Sequence, residues 1–214
     1  CGKTDGGAFV RQASGTTVHK NITFVAADIK ATHDPNNIAT AGGNAYCATL
    51  CSNMSGTYTM ENVHAINGKL YGVNKMGGLL GRVAASATIS NSSVSNYYIE
   101  NYEVDAPETF TALGGMVSAT FYPQGEIGGM IGFIQSDATI SDCHVYKTDI
   151  NAYGQDDQYG GMVPGRHVGT VIGDVRTSSN SVKYTVTITG TSSDSDTGTL
   201  SKAHNKTLNE FSSK

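Results

Sequence analysis

Short runs in which aliphatic residues alternate with Ser, Thr or Asn recur along the chain, and glycines introduce most of them. In SVKYTVTITG, Val182, Tyr184, Val186 and Ile188 fall on one face and Ser and Thr on the other. That period of two belongs to a strand with one wet face. ITFVAADI near Ile22 repeats the pattern less regularly, and Asn67-Gly68 is a turn signal between Ile66 and Leu70. TSSDSDTG (191–198) reads as a polar linker or long loop. Beyond it, Leu200, Ala203, Leu208 and Phe211 fall along one side of a short helix that would cap an open end.

The runs are copies of one another. GGLLGRVAASATISNSSVSNYYIEN, from Gly77, and GGMIGFIQSDATISDCHVYKTDINA, from Gly128, share G-G-[LM]-[LI]-G, then A-T-I-S-[ND], then a Val five residues after the Ile. The two blocks keep an offset of 51 residues through Ile99 and Ile150. Weaker copies start at Gly169, Gly42 and Gly6, so the starts at 6, 42, 77, 128 and 169 are spaced by 36, 35, 51 and 41 residues. The longer intervals hold EVDAPETFTALGGMVSATFYPQGE and YGQDDQYGGMVPGRH, read as loops or inserted strands.

A glycine pair can take positive φ at a sharp corner, and without Cβ it lets a neighbouring turn of chain approach closely. Leu79 and Leu80, Met130 and Ile131, and Val171 and Ile172 would then open a short buried strand. Ile89, Val94 and Ile99 would stack on Ile140, Val145 and Ile150 as an apolar column, with Asn91 and Asp142 at matching turns. The expected fold is all-β: a parallel β-helix (β-solenoid) of about five irregular repeats with inserted loops over 1–190. A polar loop and the short C-terminal helix follow over 191–214.

Composition agrees. Charged residues make up 15% of the chain, there are 26 glycines, and Ser, Thr and Asn supply the polar surface. These are poor helix formers suited to strands and turns. A net charge of -4 without a Lys/Arg cluster argues against nucleic acid as a partner. No apolar run approaches the roughly 18 residues of a membrane span. The chain begins at Cys1, as a segment boundary would allow and as a mature bacterial lipoprotein also would.

The blocks at Gly77 and Gly128 resemble the GLUG-motif repeats of bacterial surface proteins, which include large adhesins and IgA-cleaving peptidases outside their catalytic domains. The match is G-G-L-L-G followed by A-T-I-S-N-S-S-V, and G-G-M-I-G followed by A-T-I-S-D-C-H-V. It covers two units well, the Gly169 unit fairly and the first two poorly, since GGAFV and GGNAY lack the last glycine. The resemblance implies a surface location and a β-helical scaffold, and brings no catalytic residues or cofactor with it.

Candidate chemistry is sparse. Cys47 and Cys51, four apart, would form a disulfide only across a turn, because an extended strand holds them roughly 13 Å apart. Buried thiols are the alternative. As a zinc half-site the pair lacks a second half. Asp105 with Glu108, Glu126, and Asp156 with Asp157 are the carboxylates that a polysaccharide-active β-helical enzyme would need, and solvated loop charges the plainer reading. His64 and His144 occupy matching positions, so they would stack on the outer face, Cys143 beside the second. Asn21, Asn53, Asn91 and Asn205 head N-x-[ST] sequons, glycan sites if the protein is a eukaryotic secreted one. Tyr97, Tyr98 and Tyr102, with Tyr146, Tyr153 and Tyr159 in the next unit, are the candidate contacts for a carbohydrate or protein ligand, unless they fill the core. The expected function is a non-catalytic module of the cell surface or extracellular space, for adhesion or as a rigid spacer. The alternatives are a subunit that self-associates into a filament and the polysaccharide-active enzyme.

Overall fold

A computed structural model describes residues 6–7, 9–31, 46–72, 75–101, 108–112, 117–121, 126–151, 167–175, 184–193 and 204–206. They are all-β, with no helix among them, and parallel strands build a curled sheet. The chain visits three sheets in a fixed order, and each visit lies parallel beside the last. The first sheet is Gly6–Gly7, Tyr46–Ala48, Lys75–Gly77, Glu126–Gly128, His167–Gly169 and His204–Lys206, side by side. In the second, Val10–Ala13 and Thr16–Val25 pair with the long strand Cys51–Ile66, which pairs in turn with Leu80–Ser90 and Ser93–Ser95. Ile131–Ile134, Ala138–Ser141 and His144–Tyr146 follow, then Ile172–Val175, Val186–Thr189 and Ser192–Ser193. The third sheet is Asp28–Lys30, Lys69–Gly72, Tyr98–Asn101 and Asp149–Asn151.

The expected stacking is present residue by residue. Ile89 lies opposite Ile140, Val94 opposite Val145 and Ile99 opposite Ile150. The first of these columns runs His19–Met60–Ile89–Ile140–Ile188. Its three central members are fully buried in one continuous core. Each such aliphatic side chain contributes about 1.5–3 kcal/mol of burial. Most outward residues between them are polar, Thr59, Thr88 and Thr139 among them, as on a strand with one wet face.

Asn91 and Asp142 turn the chain where expected, but the glycine pairs do not make the corners. Neither Gly77, Gly78, Gly128 nor Gly129 has positive φ. Their role is close approach: a Cβ on Gly77 would lie 2.5 Å from the Gly132 nitrogen, and one on Gly128 2.6 Å from the Gly173 nitrogen. The last glycine of the motif is equally constrained, since a Cβ on Gly132 would lie 2.7 Å from both the nitrogen and the oxygen of Met76. Left-handed backbone is instead supplied by Asn21, Asn62, Asn91, Asp142 and Gly190 at one corner, with φ between 47° and 59°. Ala26, Asn67, Asn96 and Lys147 supply it at the next. Short amide side chains tolerate that region best, and here they also bond along the stack: Asn62 Nδ2 donates to Asn21 Oδ1 at 2.8 Å and Asn96 Nδ2 to Asn67 Oδ1 at 2.6 Å.

The expected turn at Asn67-Gly68 leads the chain from the second sheet into the third, where Lys69–Gly72 pairs with Asp28–Lys30 and Tyr98–Asn101. Three further expectations are corrected. The second unit is aligned by Ala48, opposite Gly77, where the spacing had placed Gly42; A-T-L-C-S therefore stands in for G-G-L-L-G. Ser192–Ser193, inside the expected polar loop, is a strand opposite His144 and Val145. His204–Lys206, inside the expected C-terminal helix, is a strand opposite His167–Gly169, whose parallel edge offers the backbone groups a partner. Part of the long insertion before Glu126 forms inserted strands, Glu108–Ala112 antiparallel to Val117–Phe121.

Candidate functional site

Two places gather chemistry: the outward face of the second sheet and a buried charged corner. On the outward face the in-register strands align like with like. Thr59, Thr88, Thr139 and Thr187 form one row of hydroxyls. Thr23, His64, Ser93, His144 and Ser192 form another. In the second row His64 Nδ1 shares a hydrogen with Ser93 Oγ at 2.8 Å, and His144 Nδ1 with Ser192 Oγ at 2.7 Å. His64 Nε2 reaches Asn62 Oδ1 at 2.9 Å. The two histidines do occupy equivalent positions, but the strand carrying Ser93 separates them by two spacings, about 9.5 Å. That is too far for one metal ion, and no group of three or more His, Cys, Asp or Glu side chains suited to a metal occurs among the described residues. His144 stacks on Tyr146, ring centroids 5.5 Å apart and planes at 24°.

The tyrosines divide. Tyr97 is not a surface contact: its ring is 2% exposed and its hydroxyl hydrogen-bonds Thr49 Oγ1 at 2.6 Å. Gly68 makes the room, since a Cβ there would lie 2.2 Å from the ring. Burial pushes the Tyr97 hydroxyl above its ordinary pKa. Tyr98 is half-buried, lies 5.8 Å from the Tyr71 ring and donates its hydroxyl to the Glu100 carboxylate. Tyr102, Tyr153 and Tyr159 lie outside the described residues, as do Asp105, Asp156 and Asp157. Glu108 lies in a described strand, in register with Phe121.

Cys47 and Cys51 are not joined. Cys47 Sγ donates to the Tyr71 carbonyl and Cys51 Sγ to the Asn53 carbonyl, each at 3.6 Å. They sit on strands of different sheets, in register with Met76 and Leu80, so both are core residues. Burial pushes the Cys51 and Cys143 thiols up to about 11, which keeps them protonated and unreactive at neutral pH. Of the sequon asparagines, Asn21 and Asn91 are exposed at a corner. The Asn53 amide oxygen accepts from Arg82 Nη1 at 3.2 Å, and Asn205 lies on the strand His204–Lys206.

The charged corner escaped the sequence reading. Glu126, offered there as a carboxylate on a coil face, is 1% exposed and pairs with Lys75 Nζ at 3.3 Å. The strand register puts the two residues side by side. Lys75 also lies over the rings of Phe133 at 5.3 Å and Tyr46 at 5.9 Å, and the Arg82 guanidinium over Tyr46 at 5.6 Å. Arg82 Nη2 donates to Gln135 Oε1 at 2.7 Å. Aromatic faces and an opposite charge jointly offset the desolvation of a buried ammonium. The corner thus ties the Gly77 and Gly128 units together. The signal available in the sequence was K-M-G-G against E-I-G-G, a charge of opposite sign at the same place in the two best-matched repeats.

No family model, no curated protein and no solved structure matches the chain.

Proposed function

We propose that the chain coils as a parallel β-helix and serves as a non-catalytic repeat module outside the cell, a rigid spacer that carries loops for adhesion. The observation that supports it most is the unbroken column His19–Met60–Ile89–Ile140–Ile188, in which five successive units place equivalent residues in one register. A stack of that kind adds one strand to each sheet per unit, so it lengthens without altering its cross-section. Insertions such as the one holding Glu108–Phe121 then vary outside the ladder. The resemblance of the Gly77 and Gly128 blocks to GLUG-motif repeats supports the surface location. The hydroxyl and imidazole rows of the second sheet and the Tyr71–Tyr98 pair are the faces offered to a ligand. The buried pairing of Glu126 with Lys75 removes that carboxylate from acid/base duty.

The test is to label intact cells of the source organism with a non-permeant amine reagent and an antibody to the folded chain. Labelling before lysis is expected. Labelling that appears only after lysis would overturn the location. Detectable depolymerisation across a broad polysaccharide panel would overturn the non-catalytic assignment.

A further inference from the structure

One corner of the second sheet lines up three polar side chains from two units. Asn62 stands at the corner in left-handed backbone with φ of 55°, two residues before His64. The parallel register sets Ser93 directly beside His64. His64 Nδ1 meets Ser93 Oγ at 2.8 Å and His64 Nε2 meets Asn62 Oδ1 at 2.9 Å. All three side chains are half-buried on the wet side of the sheet, so solvent and solutes reach them.

The amide decides the direction of both bonds. Asn62 Nδ2 donates to Asn21 Oδ1 at 2.8 Å, which leaves Oδ1 for the imidazole. Asn91 Nδ2 donates to that same oxygen at 3.4 Å. An amide oxygen only accepts, so His64 Nε2 carries the ring hydrogen and Nδ1 keeps its lone pair. The Ser93 hydroxyl therefore donates to Nδ1. A hydroxyl resting on the basic nitrogen of an imidazole, whose other nitrogen is held by a third group, is the arrangement of an activated nucleophile. The next copy of the row lacks the third member. His144 Nδ1 meets Ser192 Oγ at 2.7 Å, but among the described residues no acceptor holds His144 Nε2, and the ring leans on Tyr146.

We infer that Ser93 is an acyl-accepting nucleophile, with His64 as its general base and Asn62 positioning the imidazole, and that it takes activated esters or thioesters. Ser93 Oγ adds to the carbonyl carbon while its proton passes to His64 Nδ1. The bond from that carbon to the leaving oxygen or sulfur then breaks, and the leaving atom takes the proton from Nδ1. A serine ester and a free alcohol or thiol result, with no further reactant. The backbone beside Ser93 is spent in the ladder, the His144 N–H on the Ser92 carbonyl at 2.9 Å, so an oxyanion finds little stabilisation there. That restricts the donors to those with good leaving groups and the outcome to one acyl group held per chain. Such a transfer joins the chain covalently to whatever carries the donor, which goes beyond adhesion by contact and leaves polysaccharides untouched.

The probe is p-nitrophenyl acetate added to the whole purified chain. The readout is the rate at which a hydroxylamine-labile acetyl group appears on Ser93, located by fragmentation of tryptic peptide 83–147, and on Ser192 in peptide 184–202. Ser93 should be acetylated about a hundredfold faster than the exposed Ser86 of the same peptide, the share a general base supplies. It should also outrun Ser192, whose imidazole is not held. His64→Gln should bring Ser93 down to the rate of Ser86, and Ser93→Ala should remove the fast label. Asn62→Gly keeps the left-handed corner and should slow the reaction, whereas Asn62→Asp, whose carboxylate accepts the same hydrogen bond, should restore it. A merely structural role for Asn62 would not separate those two variants. Ser93 labelled no faster than Ser86, or at a rate that His64→Gln leaves unchanged, overturns the inference. If His64→Gln lowers the melting temperature, the Asn62→Gly and Asn62→Asp comparison decides in its place, and equal rates for that pair are equally fatal. The reaction is read on the isolated protein, so a failure of cell-surface labelling leaves it standing.

Discussion

Thr16–Val25 and Leu80–Ser90 lie on opposite sides of the same strand, Cys51–Ile66, in the same parallel register, yet they are physically unlike. In Leu80–Ser90 every inward residue, Val83, Ala85, Ala87 and Ile89, is buried. In Thr16–Val25 the inward Thr17 and His19, which share register with Ala87 and Ile89, and Ile22 and Phe24 beyond them are only half-buried, and the outward Val18 and Val25 are exposed. Among the described residues the central strand has a neighbour on both sides and the first has one. Where neighbours exist, aliphatic side chains stack on their own kind. Where they stop, the column ends in an aromatic cluster: His19 hydrogen-bonds the Tyr58 hydroxyl at 2.8 Å, and Phe9 lies 6.1 Å from His19 and 5.9 Å from Phe24, ring to ring. Stability in such a stack is a property of position along it, not of the strand sequence alone.

The sharpest way to test that difference is the charged corner, which belongs to the centre. Lys75→Met leaves Glu126 buried without its ammonium, and a loss of about 3–5 kcal/mol is expected in urea unfolding. Lys75→Met with Glu126→Leu should recover much of it; a double variant no better than the single would show that the pair is not the cause. Next come matched truncations. Ile140→Ala should cost about 2–5 kcal/mol, and Ile22→Ala, half-buried at the end, well under half of the Ile140→Ala value in the same measurement. Equal costs would remove the distinction between centre and end. Smaller again is the corner: Asn91→Ala places a Cβ-bearing aliphatic residue at φ 47° and should cost about 1–2 kcal/mol, whereas Asn91→Gly should melt near wild type.

The smallest effect separates the end by pH. Burial lowers the His19 pKa below its ordinary 6.5. The unfolded chain therefore binds a proton that the folded chain refuses over the interval between those two values. Stability should be complete above pH 6.5, fall as pH drops through 6.5, and level off below the folded pKa. His19→Gln should flatten that slope, as read from melting temperature between pH 5 and 8. A slope that survives the substitution would assign the titration to another group.

Much of the fold was legible in one dimension. A repeat of 51 residues with Ile89, Val94 and Ile99 matched to Ile140, Val145 and Ile150 is an alignment of the core as well as of the sequence, because parallel strands in register put equivalent residues side by side. Asn91 and Asp142 marked corners for the same reason. The candidate site was less legible. Tyr97 and Tyr98 are neighbours with opposite fates, and only the sheet to which Tyr98–Asn101 belongs decides which ring turns inward, past Gly68, and which turns out.

The sequence by itself therefore determined the class of structure, the wet and dry faces of its strands, and the pairing of its two clearest units, since periodicity and repetition are local properties of a chain. Tertiary structure alone decided which glycines are indispensable, that Cys47 and Cys51 stay apart, that Lys75 meets Glu126, and that His204–Lys206 lies as a strand. Each of those depends on which segment arrives alongside, and a neighbour's backbone a few ångströms away leaves no mark on the residue that must accommodate it.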